Sequence, residues 1–138
     1  MHVLFLIIAS LITLSTVIPY IRDILKGKTK PNITSWITWS LITGIATIAE
    51  FAGHEYITAI FTGSVFLETS AIVILGLKYG YAKYSLFDVF CQIGALSGFL
   101  FWYLFNSPAA AVIASVLIDA FATIPTIRHS WINPKEET

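Results

Sequence analysis

Five apolar stretches, each near the ~20 residues a helix needs to cross a bilayer core of about 30 Å, fill most of this 138-residue chain. They run Val3–Tyr20, Ile33–Phe51, Tyr56–Leu77, Leu86–Phe105 and Pro108–Ile127. The connections 21–32, 52–55, 78–85 and 106–107 are too short to hold a soluble domain. Lipid offers the backbone no hydrogen-bond partner, so such stretches must be helices. Composition agrees. The chain is 57% hydrophobic and 12% charged, against ~45–50% and ~25% in soluble domains. That excludes a disordered chain, and the single cysteine, Cys91, excludes a disulfide scaffold. With 8 basic and 8 acidic residues there is no net field to recruit nucleic acid.

Helix punctuation supports the same division. Asn32 after Lys30-Pro31 reads as an N-cap, Ser85-Leu-Phe-Asp88 as a capping box, and Ser107-Pro108 as a cap with first-turn proline. Asn32-Ile33-Thr34 also matches a glycosylation sequon, but capping is the better reading of it. Gly53 and Gly80 stand where the second and third helices should stop. In a five-span topology all eight basic residues fall on one side: Arg22, Lys26, Lys28, Lys30, Lys78, Lys83, Arg128 and Lys135. That side should be cytoplasmic, with the N-terminus outside and the C-terminus inside, in a cell inner (plasma) membrane. Tyr20, Trp36, Trp39, Tyr79, Tyr81, Tyr84 and Trp131 mark the inner boundary, and Tyr56, Trp102 and Tyr103 the outer one. The first stretch has its charges after the apolar run and no small-residue cleavage site, so a retained helix is expected rather than a signal peptide.

The first and fifth stretches end alike. Ile18-Pro19-Tyr20-Ile21-Arg22 matches Ile124-Pro125-Thr126-Ile127-Arg128, and at the same offset Leu11 and Ile12 meet Leu117 and Ile118. A proline inside a helix removes one backbone hydrogen bond and loosens the preceding turn, at Ser15 and Phe121. Both copies run outside to inside. Three spans invert direction, so the fourth helix must intervene between parallel units. The predicted architecture is all-α and membrane-embedded: a three-helix bundle (1–77), an inversion linker helix (86–105), and the first helix of a second repeat with its tail (108–138).

Pro19, the basic loop Lys26-Gly-Lys28-Thr-Lys30 and this arrangement of three helices plus a linker resemble the PQ-loop and SWEET-like (MtN3-type) transporter superfamily. The resemblance implies transport of a small solute by alternating access, with Pro19 and Pro125 as hinges. The family's Pro-Gln pair is Pro19-Tyr20 and Pro125-Thr126 here, so only the prolines carry over. The second unit stops after its first helix. Three explanations stay open: a piece of a longer chain, association with another copy, or a five-helix relative.

Ionisable groups at membrane depth are costly, about 2.5–3.5 kcal/mol at the centre on insertion scales, and mark function by default. Glu68 lies mid-way along the third stretch and Asp119 mid-way along the fifth, with no Lys or Arg at that depth. Lipid disfavours the charged form of a carboxylate, which suits proton exchange or contact with a cation. Ser64 flanks Glu68, Ser115 flanks Asp119, and Thr13 occupies the repeat position equivalent to Asp119. Ser40, Thr43 and Thr47 recur at helical spacing along the second helix. These faces either line a solute path or are helix-packing glue. Glu50 lies near the outer headgroups, Asp88 is expected to cap, and His2, His54 and His129 are expected to be solvated span ends. Gly94-Ala-Leu-Ser-Gly98 allows close helix contact or dimerisation.

There is no phosphate-binding loop, zinc motif or nucleophile elbow, and the histidines are far from the deep acids, so an enzyme, a cofactor and a metal site are not expected. The favoured function is transport of a small polar solute, with proton coupling through Asp119 and Glu68. The competing one is a non-transporting scaffold or assembly subunit. Expected partners are the lipid bilayer, the solute or proton, and a second copy.

Overall fold

The computed structural model describes residues 2–80, 85–105 and 108–136. The expectations for Tyr81, Lys83, Tyr84 and the Ser107 cap lie outside them, as does the Trp102 side chain. Among the described residues there are five helices and no strand element: α1 (His2–Leu25), α2 (Ile33–Ala52), α3 (Tyr56–Tyr79), α4 (Leu86–Phe105) and α5 (Pro108–Ile132). At 1.5 Å per residue their 20 to 25 residues span about 30–37 Å. The apolar stretches understate two helices. α1 continues past Pro19 to Leu25, and α5 past Pro125 to Ile132, so both prolines lie inside helices. Charged and polar residues such as Arg22 and Arg128 end an apolar run without ending the helix. A basic group in the last turn in fact complements the helix dipole.

The caps are as the sequence requires. Asn32 Oδ1 accepts the Thr34 N–H at 3.0 Å, and Asn32 is 3% exposed. Ser85 and Asp88 close the capping box reciprocally: the Ser85 N–H reaches Asp88 Oδ2 at 2.9 Å, and the Asp88 N–H reaches Ser85 Oγ at 3.2 Å. α2 ends at Gly53, whose N–H bonds the Ala49 carbonyl at 2.9 Å. The left-handed residue is nevertheless His54, at φ 61°. A non-glycine costs about 1 kcal/mol there, and the contact of His54 Nδ1 with the Tyr56 hydroxyl at 2.8 Å holds it.

Side-chain distribution is the reverse of a water-soluble fold. Large apolar groups such as Ile48, Leu67, Ile74, Leu86 and Phe90 face outward, while Thr29, Asn32, Thr34, Ser35, Thr38, Thr69, Asp88 and His129 are buried. α1 from Leu4 to Leu25, α3 from Tyr56 to Tyr79 and α4 from Leu86 to Phe105 are long and apolar enough to cross a membrane. His129 is a correction to the sequence reading: it is 3% exposed rather than solvated, because loop and tail close over it.

Two helix pairs pack most extensively, α2 with α3 and α4 with α5. α1 packs along α3 and reaches α2 only through the Tyr20 and Trp36 rings among the described residues, and α2 joins the pairs through α5 and, more slightly, α4. Small residues allow these approaches. A Cβ on Gly44 would stand 2.9 Å from the Phe66 ring, and one on Gly94 would stand 2.6 Å from Phe121. Gly98 sits under Ile118. The glycine pair of α4 is therefore occupied within the chain, against α5, rather than presented to a second copy.

One end of the bundle fixes the directions. Asn32 Nδ2 donates to the Pro125 carbonyl at 3.2 Å. The Lys30 N–H donates to the Glu136 carbonyl at 2.6 Å, and the Lys30 ammonium bonds the Glu136 carboxylate. Gly80 abuts the Pro31 backbone, and the Arg128 guanidinium lies 5.1 Å from the Phe87 ring centre. The ends of α1, α3 and α5 and the starts of α2 and α4 thus meet there. α1, α3 and α5 run one way, and α2 and α4 return. Every described basic residue gathers at this end.

Candidate functional site

Asp119 is the twelfth residue of the 25-residue α5. On a bundle of this height that places its carboxylate near mid-depth. Helical spacing puts Ser115 one turn before it on the same face. α2 crosses opposite, and its positions 39, 42, 43, 46 and 49 form the facing stripe. Between the two helices lies a groove of about 340 Å³, lined by Trp39, Thr43, Ala46, Ser115, Ile118 and Asp119 among others. The Trp39 indole N–H donates to Asp119 Oδ1 at 2.9 Å. No other hydrogen bond reaches that carboxylate among the described residues, and Asp119 is exposed.

Trp39 belongs to a ring ladder. Its centre is 5.1 Å from that of Trp36 at 76°, an edge-to-face arrangement, and Trp36 is 5.4 Å from Tyr20 of α1. α1 and α5 do not touch each other among the described residues. The three rings therefore cross the gap between the two proline-bearing helices, on the N-terminal half of α2.

Three of the residues singled out from the sequence converge here: Thr43, Ser115 and Asp119. The others do not. Ser40 is 2.8 Å from Ser70 of α3, and Thr43 is also 3.4 Å from Thr69. Thr47 donates to the Thr43 carbonyl at 2.7 Å and lies over Gly63. The α2 hydroxyl stripe is thus the seam between α2 and α3, touching the groove only through Thr43. Thr13 donates to the Ala9 carbonyl at 2.9 Å and Ser64 to the Phe61 carbonyl at 2.7 Å, each within its own helix. Glu68 is half-buried in α3, and its Oε1 is buried with no hydrogen-bond partner among the described residues. α3 and α5 share no contact among those residues, so Glu68 and Asp119 are in separate places. Glu50, at the opposite end of α2, accepts the Thr62 hydroxyl at 3.2 Å.

Pro125 is fully buried, and its carbonyl is held by Asn32, whereas Pro19 is exposed. Around Pro125 the buried end gathers His129, whose Nε2 is 3.7 Å from Glu136 Oε2. The hydrogen bond from the Lys30 ammonium holds the Glu136 carboxyl below its ordinary value.

The sequence reading missed Trp39, treating it as an interfacial aromatic. The signal was available in part. Trp39 and Thr43 are four residues apart and share a helix face, but nothing in the chain order says that this face meets Asp119. The chain matches no protein-family profile, no curated protein and no solved structure.

Proposed function

We propose that the chain is a five-span membrane protein of the PQ-loop and SWEET-like kind that moves a small polar solute through the groove beside Asp119. The up-and-down order supports five spans. If α1, α3 and α4 cross, α2 and α5, of similar length and packed among them, cross with them. The basic end is then cytoplasmic, with the N-terminus outside and the C-terminus inside the cell membrane. Pro19 and Pro125 act as hinges in this reading, since each removes a backbone bond inside its helix, and α5 borders the groove.

The observation that carries the reading is Asp119: an acidic side chain at mid-depth, beside a groove of about 340 Å³ that also holds two hydroxyls. In a bilayer a carboxylate on an apolar helix is costly, and here a single hydrogen bond, from Trp39, is all that the protein gives it among the described residues. Glu68 is outside the groove, so a role in proton coupling is separable from solute contact.

The test is flux in proteoliposomes of the full chain, using a panel of labelled sugars, amino acids and amines. Wild type should move at least one of them. Asp119→Asn should cut that flux about tenfold or more, the loss expected for a hydrogen-bonded charge. Glu68→Gln should change its pH dependence more than its extent. Equal flux in wild type, Asp119→Asn and empty vesicles sinks the proposal. It would favour the scaffold reading, which has its own support in the α2 hydroxyls seated on α3.

A further inference from the structure

We infer that the solute of this groove is a small organic cation, seated with its ammonium on Asp119 and its apolar body against Trp39 and the aliphatic lining. This rests on the groove being a solute site, and it adds the sign and shape of the solute.

Charge sign comes first. The ionisable residues at mid-depth are Asp119 and Glu68, both acidic, and no Lys or Arg lies there. An anion entering the groove would lose its hydration and meet a carboxylate, both unfavourable. A cation loses hydration too, but meets its counter-charge.

Hydrogen-bond capacity gives the same answer. A carboxylate accepts at both oxygens, with about four lone-pair sites. Here one oxygen takes the Trp39 N–H at 2.9 Å, and the other takes no hydrogen bond among the described residues. The Thr43 hydroxyl hydrogen has carbonyl acceptors on Trp39 at 2.8 Å and Ser40 at 3.2 Å, which leaves oxygen lone pairs to offer. Asp119 and Thr43 thus present acceptors to the groove. An ammonium supplies donors alone, whereas a sugar hydroxyl asks for both.

Ring placement is the third, independent observation. Trp is the strongest cation–π partner among the side chains, effective within about 6 Å of the ring centre. Trp39 lines the groove and its indole N–H is held by Asp119, so its ring is within reach of an ammonium seated on that carboxylate. Trp36 packs edge-to-face on Trp39, and Tyr20 of α1 packs on Trp36. A volume of about 340 Å³ fits a small molecule and nothing larger.

The experiment uses three probes that share one ring and differ in charge: benzylammonium, benzyl alcohol and benzoate. Saturable binding to the full chain in nanodiscs is measured at neutral pH. Benzylammonium should bind about tenfold or more tightly than the other two. Asp119→Asn should erase that preference, Asp119→Glu should keep it, and Trp39→Phe should weaken it several-fold by losing the anchoring N–H. The inference is overturned if benzyl alcohol or benzoate binds wild type as tightly, or if Asp119→Asn keeps the preference. Should the variants fail to fold, the three-probe comparison on wild type still decides. A cation preference without flux overturns the transport reading and leaves this one standing. Flux of a neutral solute without a cation preference does the opposite.

Discussion

α1 and α5 carry the same Ile-Pro-x-Ile-Arg segment at the same end of the bundle, yet they live in different surroundings. α5 is wedged between α4 and α2; Pro125 is fully buried, and its carbonyl takes a hydrogen bond from Asn32. α1 leans chiefly on α3, and Pro19 is exposed. A kink is a local property that proline brings wherever it sits. Whether that kink is locked or free depends on what packs over it. By this comparison α5 is the anchored member and α1 the free one. Motion in this bundle should therefore begin at α1.

The strongest way to break the comparison is at Asn32, whose one side chain caps α2 and holds α5. Asn32→Ala should cost about 1–3 kcal/mol, because a cap and a buried hydrogen bond are lost together. Thermal unfolding in detergent would read it. Ser15→Ala in α1, whose hydroxyl bonds only its own helix at the Ile12 carbonyl, serves as the control. Equal losses for the two variants would refute an anchored α5.

A smaller effect should come from the tail. Glu136 has its carboxyl held below its ordinary value of 4.5 by the Lys30 hydrogen bond. A depressed acid stabilises the folded state above its unfolded value, and that contribution disappears as pH falls through the folded one. The melting temperature of wild type should therefore exceed that of Glu136→Gln near neutral pH. The two should converge in acid below 4.5. A gap that widened in acid would contradict the assignment.

Pro19→Ala is the smallest expected change. It lies on an exposed face and should shift stability by no more than about 0.5 kcal/mol. Pro125→Ala should shift it more, since straightening α5 moves the carbonyl that Asn32 holds. If the same melting assay ranks the two prolines in the reverse order, α1 is the anchored helix.

Much of the fold was legible beforehand, and the reasons differ from element to element. The start of α4 could be read because Ser85 and Asp88 make a local capping box that closes within three residues. α1 and α5 ran longer than their apolar stretches because helical hydrogen bonding does not stop where hydropathy does. His129 was misjudged because its burial depends on Lys30, far away in the chain, which draws the Glu136 tail back over it. Of the site, Asp119 was legible as an acid mid-way along an apolar stretch. Its partner Trp39 was not, and neither was the separation of Glu68 from it. Periodicity gives the faces of each helix but not which faces meet.

What the sequence by itself determined is a set of helices, their caps, their alternation in direction and the depth of two acids, all consequences of local geometry and of hydropathy along one chain. Only the tertiary structure decided that α2 would face α3 with its hydroxyls and α5 with Trp39, that the α4 glycines would be used internally, and that one of two equal prolines would be buried. Those choices are made by shape and small-residue contacts between helices. Among apolar surfaces surrounded by lipid, the hydrophobic effect no longer selects one face over another.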